Sequence, residues 1–273
     1  MRIGGSARYF VELTERTEVE EAATFAREHS VPLFVLGSGS NTIFSDKEVQ
    51  ALVVRIKHDR VEWDGDTVTL GAGKNLAIFI NECAELGRDL SALTGIPGTI
   101  GGAIFGNAGQ GPKGVWIDRF VESVTVFVNA EWKMMKKDAC EFEYRESVFK
   151  TYSQPILWET TLKIPEGEPA LIKQEIEKLL MRRIETQPHV KTAGSCFKAV
   201  GGTPAWQLID NVKLRGEKIG GVQIAEKHAN FLLNTGDATY NDACAIVEKV
   251  KQEIPEHLEV EMRFVEKDGS IRY

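Results

Sequence analysis

The stretch Val31-Pro32-Leu33-Phe34-Val35-Leu36-Gly37-Ser38-Gly39-Ser40-Asn41 decides how this chain is read. A short apolar run stops abruptly at a glycine-serine turn, the pattern of a buried strand emptying into a tight loop. Such a loop points backbone N–H groups outward, and its missing side chains let an anion come close, so it suits a pyrophosphate. Taken alone, this loop reads more readily as a tight turn that merely needs small residues. The loop does not fit the dinucleotide fingerprint, because residues around Phe44 replace the third glycine, and Gly106 to Lys113 is no NTPase phosphate loop, because Pro112 follows Gly111.

Upstream, Thr17 and Glu20 read as a capping box, and Val19, Ala22, Ala23 and Ala26 recur at the spacing of a helix that ends near His29. Downstream, 51–56 reads as a second strand, so the opening is β-α-β-like. Val61-Glu62-Trp63 and Thr67 to Leu70 flank Asp64-Gly65-Asp66, a hairpin pattern, and Leu76, Phe79, Ile80 and Cys83 predict a helix that stops at Gly87. Strands are expected over 121–128 and 156–164, then a helix over 170–185 with Ile172, Ile176, Leu179 and Leu180 inward. Composition changes at Thr186-Gln187-Pro188-His189, which predicts a domain boundary. Beyond it come a Gly194-Ser195 turn, a helix opened by Thr203-Pro204, a strand at Phe231-Leu232-Leu233 and a helix over 241–254. The class is α+β.

A second stretch, Gly95-Ile96-Pro97-Gly98-Thr99-Ile100-Gly101-Gly102-Ala103, is harder to explain blandly. Glycines in numbers weaken a fold unless something must approach the backbone. A planar ring or a second phosphate contact is the natural occupant, and together the two loops suggest a cofactor larger than a mononucleotide.

The chain has 273 residues, 42% of them hydrophobic, enough for a sizeable core, and a net charge of −7 that argues against nucleic acid or an acidic membrane as the main partner. Cys83, Cys140, Cys196 and Cys244 lack the spacing of a zinc knuckle or redox pair, and the histidines show no metal spacing. We therefore expect no metal and a reducing cytoplasm. The start at Met1-Arg2-Ile3-Gly4-Gly5 predicts no signal peptide, and no apolar run reaches the ~20 residues of a membrane helix.

Leu36 to Asn41, Gly71-Ala72-Gly73, Gly95 to Ala103 with Asn107-Ala108-Gly109, Phe142 to Ser147, Gly194-Ser195-Cys196-Phe197-Lys198 and Leu258 to Arg263 occur in one order. This set resembles the UDP-N-acetylenolpyruvoylglucosamine reductase family (UDP-N-acetylmuramate dehydrogenases) in its shorter form, from Arg2 to about Val265. The resemblance implies an FAD-binding fold of the vanillyl-alcohol-oxidase type, with two α+β cofactor subdomains, plus a C-terminal α+β substrate-binding domain. The implied boundaries are 1–56 with 262–273 returning to it, 57–188, and 189–261. It implies an FAD flavoprotein that uses NADPH to reduce the enolpyruvyl group of a UDP-sugar in peptidoglycan precursor synthesis, and so serves cell-wall biogenesis, cell shape and division. A cytoplasmic monomer without nucleic-acid or membrane partners is expected.

Carried over by motif, Ser195 is the proton donor, Arg145 the cation beside the developing enolate, and Glu261 its partner in polarising the substrate carboxylate. Tyr144 and Lys198 are expected to bind substrate. Gly37, Ser38, Gly39, Ser40, Asn41, Gly71, Gly73, Gly95, Ile96, Pro97, Gly98, Thr99, Gly101, Gly102 and Asn107 are expected to bind the cofactor. Taken singly, Ser195 reads as a turn residue, Arg145 as a surface ion pair, Glu261 as the solvated face of a strand, and Lys198 as a stem lying on the surface. His228 and Asn230 also match family positions, with a structural histidine the plainer reading. Ala199-Val200 departs from the family's Asn-Pro, and Gln110-Gly111-Pro112-Lys113-Gly114 from its usual loop. A sugar or alcohol oxidase on the related fold, and a flavin-binding module without catalysis, are the competing readings.

Overall fold

A computed structural model describes residues 1–110, 114–188 and 191–273. In chain order it contains β1 (Ala7–Leu13), α1 (Arg16–Glu28), β2 (Leu33–Val35), β3 (Thr42–Phe44), β4 (Val49–Ile56), β5 (Val61–Asp64), β6 (Thr67–Gly71), α2 (Leu76–Glu85), α3 (Ile100–Phe105), β7 (Val121–Val128), β8 (Glu131–Lys136), β9 (Ile156–Lys163), α4 (Pro169–Thr186), β10 (Thr192–Ser195), α5 (Ala205–Asn211), β11 (Lys218–Ile219), β12 (Val222–Ile224), β13 (Phe231–Asn234), α6 (Tyr240–Glu253) and β14 (Arg263–Val265). The fold is α+β. It divides into two compact units, a larger one of Tyr9–Ser38 and Leu52–Met181 and a smaller one of Met1–Arg8, Gly39–Ala51 and Arg182–Tyr273. The composition change expected at Thr186-Gln187-Pro188-His189 reaches His189, which lies outside the described residues.

In the larger unit, an antiparallel sheet runs β5-β6-β9-β7-β8. Leu76, Phe79, Ile80 and Cys83 on one face of α2 bury into the core with Leu70, Ile100, Ile104 and Phe149. Asn75 starts that helix by accepting the Ile78 N–H at 3.0 Å. β2 lies parallel to β4, Leu33 opposite Leu52.

Four details differ from the sequence reading. Helix α1 starts earlier than the Thr17–Glu20 box, because the Glu18 carboxylate accepts the Thr14 and Glu15 N–H groups at 2.6 and 3.0 Å; Glu20 instead accepts the Trp132 indole at 2.7 Å. Leu180, expected inward, is 41% exposed, since the buried stripe of α4 rests on Ile172 and Ile176. Strand β8 carries no clear sequence signal because most of it is solvated, with lysines of the kind that guard a sheet edge. Within the glycine-rich stretch, Ile100–Phe105 is a short helix capped by Thr99, whose hydroxyl accepts the Gly102 N–H at 3.2 Å.

The chain's own backbone sets several of its glycines. A Cβ at Gly71 would lie 2.3 Å from the His58 carbonyl, one at Gly73 2.6 Å from that of Ile56, and one at Gly101 2.8 Å from the Ala72 Cβ. No side chain fits such gaps.

In the smaller unit, an antiparallel sheet runs β10-β13-β12-β11, and β14 lies parallel to β3, Phe264 opposite Ile43. Helix α6 buries Ala243, Ile246, Val247 and Val250. Thr239 and Asp242 cap it reciprocally at 3.0 and 3.1 Å.

Gly71→Ala should destabilise the flavin-free protein by roughly 1–3 kcal/mol, the usual cost of overpacking. Gly102→Ala should not, because its nearest neighbour, Thr99 Oγ1 at 3.5 Å, is at ordinary contact distance. Thermal denaturation of the two flavin-free variants decides this, and equal midpoints would refute the packing account.

Candidate active site

Strand β2 gives out just before the first glycine turn. Leu36 N–H still reaches the Val54 carbonyl at 2.9 Å, but among the described residues the N–H groups of Gly37 and Ser38 have no hydrogen-bond partner. A Cβ on Gly37 would lie 3.0 Å from Thr99 Oγ1, so the first turn touches the second within the larger unit. The second turn uses part of its amides internally: Ile100 donates to Lys74 at 2.8 Å, Gly101 to Ala72 at 2.9 Å and Ile96 to Leu93 at 3.2 Å. The Gly98 carbonyl accepts from Leu76 at 3.1 Å. Among the described residues the N–H groups of Gly95, Gly98 and Thr99 are likewise without a partner, so donors left over for an anion line both turns, beside a wall that carries no side chain at position 37. A phosphate-bearing group fits that arrangement.

Asn107 is fully buried, and its side chain is committed to the protein. It donates to the Glu143 carbonyl at 2.8 Å and accepts the Asp118 N–H at 3.2 Å. Glu143 opens the turn that bears Tyr144 and Arg145, and it exchanges two 3.1 Å hydrogen bonds with Glu146. Arg145 takes φ +60°, a left-handed conformation that costs a side-chain-bearing residue roughly 1–2 kcal/mol. Its Nη2 donates to the Gly109 carbonyl at 2.8 Å, its guanidinium lies 5.3 Å from the Tyr144 ring centroid, and Lys150 Nζ holds its carbonyl at 2.5 Å. Arg145 is thus fixed in a strained turn, as functional residues often are, and is no loose surface ion pair. Gln110 ties its loop back through Ala92 and Thr94, both at 3.1 Å, while Gly111, Pro112 and Lys113 lie outside the described residues.

The smaller unit brings Ser195, Lys198, Glu261 and Asn41 together. Ser195 ends β10 opposite Phe231, past a register shift at Gly194, where φ is +78°. Among the described residues its hydroxyl has no hydrogen-bond partner. The Cys196 N–H donates to the Asn230 carbonyl at 2.8 Å, and the Cys196 carbonyl accepts the Glu261 N–H, also at 2.8 Å. Asn41 Nδ2 holds the Glu261 carbonyl at 3.0 Å, so its side chain, too, is engaged within the protein. Glu261 does not stand on a strand. Its segment makes one antiparallel bridge, Phe197 to Val260, and β14 begins only at Arg263.

Lys198 is buried, 7% exposed, rather than laid along the surface, and its ammonium pairs with the Glu259 carboxylate. Where the family's Asn-Pro would stand, Val200 and Thr203 exchange hydrogen bonds of 3.0 and 2.9 Å around a tight Gly201-Gly202 turn. The Cys196 thiol is wholly buried, and burial, then the Glu261 charge, push its pKa up, which makes it inert. No group of His, Cys, Asp or Glu that could hold a metal occurs among the described residues.

Asn230 carries more of this site than its place in a motif suggests. Its Oδ1 accepts the Phe197 N–H at 2.9 Å and its Nδ2 donates to the Phe197 carbonyl at 2.8 Å. Its own N–H donates to His228 Nδ1 at 3.3 Å, which leaves the neutral imidazole's proton on Nε2. Burial, chiefly, holds the His228 pKa below the ordinary histidine value.

The buried amide of Asn107 and the half-buried ring of His228 can each be tested. Asn107→Ala strands the Asp118 N–H, at about 1–3 kcal/mol for a buried group left unpaired, while the Glu143 carbonyl keeps the Glu146 N–H. Urea denaturation should show that loss, and an unchanged midpoint would contradict it. His228, because its folded pKa is depressed, contributes stability that is complete above the unfolded value near ~6.5 and lost as pH falls toward the folded value. NMR titration should find the ring neutral at pH values where a free histidine is charged, and an ordinary titration would remove the effect.

Comparison with known proteins gives a consistent picture. Residues 187–264 match the family described as UDP-N-acetylenolpyruvoylglucosamine reductase, C-terminal domain, and residues 7–131 match the family described as FAD binding domain. The chain is 33% identical over 258 residues to UDP-N-acetylenolpyruvoylglucosamine reductase 2 of Symbiobacterium thermophilum, covering 93% of this chain and 83% of that protein. It is 34% identical over 273 residues to the reductase of a Thermotoga species, covering 96% and 87%. The crystal structure of the reductase from Thermus caldophilus superposes with a TM-score of 0.84 at 30% identity, covering 96% of this chain and 93% of that one.

Proposed function

The chain belongs to the UDP-N-acetylenolpyruvoylglucosamine reductase family, and on that premise we propose its reaction and the residues that perform it. It is an FAD-dependent oxidoreductase that reduces the enolpyruvyl group of UDP-N-acetylglucosamine enolpyruvate to give UDP-N-acetylmuramate, with NADPH as hydride source. The observation that carries the reading is the Cys196 peptide: Ser195 precedes it, and Glu261 is hydrogen-bonded to its carbonyl at 2.8 Å. A hydroxyl without an internal partner and a carboxylate-bearing residue are thereby fixed one peptide apart.

Bound FAD supplies hydride carriage between NADPH and the enolpyruvyl group. Gly37 and Ser38 would offer N–H groups to its phosphates, and Gly39, Ser40, Gly102 and the turn at Gly95, Ile96, Pro97, Gly98 and Thr99 would complete the cofactor set. Gly71, Gly73, Gly101, Asn41 and Asn107 support that set by shaping the backbone behind it. Hydride addition to the enolpyruvyl group develops negative charge toward the substrate carboxylate, and the adjacent carbon must then take a proton. Arg145, rigid in its left-handed turn, offers the cation for that charge. Ser195 donates the proton from Oγ. A serine hydroxyl is a weak acid, so it acts here because the enolate is strongly basic. Glu261 acts protonated or hydrogen-bonded, because two bare carboxylates side by side repel. Tyr144 and Lys198 contact substrate, Lys198 with its charge balanced by Glu259.

The proposed division places the cofactor subdomains at 1–56 with 262–273 and at 57–188, and the substrate domain at 189–261. We further propose a cytoplasmic monomer in peptidoglycan precursor synthesis that binds no nucleic acid, as the net charge of −7 favours. Among the described residues no helix is long and apolar enough to cross a membrane.

Purified protein should carry flavin absorbance and oxidise NADPH in the presence of the enolpyruvyl UDP-sugar. Oxygen consumption with a simple sugar would favour an oxidase instead. Ser195→Ala should leave flavin reduction by NADPH intact and slow flavin reoxidation by substrate about 10²–10⁴-fold, the range for loss of a general acid. Equal impairment of both half-reactions would remove Ser195 from that role.

A further inference from the structure

We propose that Asn230 is a positioning residue of the half-reaction in which the enolpyruvyl substrate reoxidises the flavin, aiming the Ser195 hydroxyl and fixing its distance from Glu261 through one buried side chain. The inference rests on the proposed role of Ser195 and goes beyond it.

Strands β10 and β13 are short, and their regular pairing ends at Ser195 opposite Phe231. The next two peptides still need partners, because this part of the chain is buried: Cys196 is 0% and Phe197 2% exposed. Asn230, itself 6% exposed, supplies them. Its main-chain carbonyl takes the Cys196 N–H at 2.8 Å, and its side-chain amide then takes both polar groups of Phe197, at 2.9 and 2.8 Å. The amide thus acts as one more rung of the ladder. Its orientation follows from its partners, since the Phe197 N–H requires an oxygen and the Phe197 carbonyl requires a donor.

On the opposite side, the same strip of chain receives the last family motif. The Glu261 N–H reaches the Cys196 carbonyl at 2.8 Å, and the Lys198 N–H reaches the Glu259 carbonyl at 2.9 Å. The peptides clamped by Asn230 are therefore the ones that hold Ser195 at one end, Lys198 at the other and Glu261 alongside. Without the side-chain rung, Phe197 is free to rotate away, carrying the Ser195–Glu261 register with it. The His228 Nδ1 contact at 3.3 Å orients the Asn230 peptide from behind. Asn230 touches none of these residues' functional atoms; it acts through the backbone.

The test uses the FAD-loaded enzyme and follows each half-reaction by stopped-flow flavin absorbance. In Asn230→Asp, which keeps the acceptor for Phe197 N–H and loses the donor, flavin reduction by NADPH should be unchanged. Reoxidation by the enolpyruvyl UDP-sugar should slow by about 10²-fold, the scale expected of a misplacement near 1 Å, and its solvent deuterium isotope effect should rise as protonation becomes limiting. Asn230→Ala should do the same more strongly; if it does not fold, Asn230→Asp alone decides. In a Ser195→Ala background, Asn230→Asp should cause little further slowing. Equal slowing of both half-reactions, slowing in proportion to lost thermal stability alone, or full additivity with Ser195→Ala would overturn the proposal. Should Ser195→Ala itself leave reoxidation untouched, the Ser195 assignment fails; should it slow reoxidation while Asn230→Asp does not, only the inference about Asn230 fails.

Discussion

Every buried peptide group must find a partner, and this chain meets that requirement at its functional loops with asparagine side chains where strands are too short to do so. Asn107 ties the Glu143 carbonyl that opens the Arg145 turn, Asn41 ties the Glu261 carbonyl, and Asn230 ties both polar groups of Phe197 beyond Ser195. Each amide carries a donor and an acceptor on one short stem, so it can stand in for a strand. Asparagine also tolerates the left-handed region, and Asn107 sits there at φ +39°. The proposed catalytic side chains therefore stand at a strand end or on loops, beside backbone that asparagine side chains splint.

The glycine-rich segments divide by the same reasoning. Gly71, Gly73 and Gly101 face carbonyls or a methyl group of the chain at distances no Cβ tolerates, so the fold alone demands them. Gly37 packs against Thr99, and among the described residues the amides of Gly37, Ser38, Gly95, Gly98 and Thr99 are left unused by the protein. A glycine's presence in a cofactor motif thus does not establish that the cofactor touches it. Some glycines hold the shelf and others form its surface.

How much of this could be read in the sequence depends on the reach of each interaction. The strand ending at Leu36, the hairpin about Gly65 and the buried stripe of α2 are local patterns, visible in a window of a dozen residues. Helix α3 has local signals too: Thr99 is a cap residue, and Ile100, Ala103 and Ile104 have helical spacing, but the intervening glycines hide it. Glu143, held by Asn107, and Phe197, held by Asn230, lie 36 and 33 residues away, and no local pattern names them. Lys198 reads as a surface lysine for the same reason, its carboxylate partner being 61 residues distant. Motif resemblance points to the catalytic residues; geometry is needed to find what holds them.

The pairing of Ser195 with Cys196 shows what that holding achieves. In water the thiol is much the better acid of the two, with a pKa near ~8.5. Side chains alternate along an extended segment, so adjacent residues face opposite ways. Here the register set by the pairing of Ser195 with Phe231 and by the Asn230 rung turns Cys196 into the core, where burial and the Glu261 charge raise its pKa. The weaker acid is left outside, without an internal partner among the described residues. A slip of one residue would exchange them, placing an oxidisable thiol where the proton donor belongs and a hydroxyl without a partner in an apolar core. The clamp on Phe197 thus selects which residue can do the chemistry as well as where it stands.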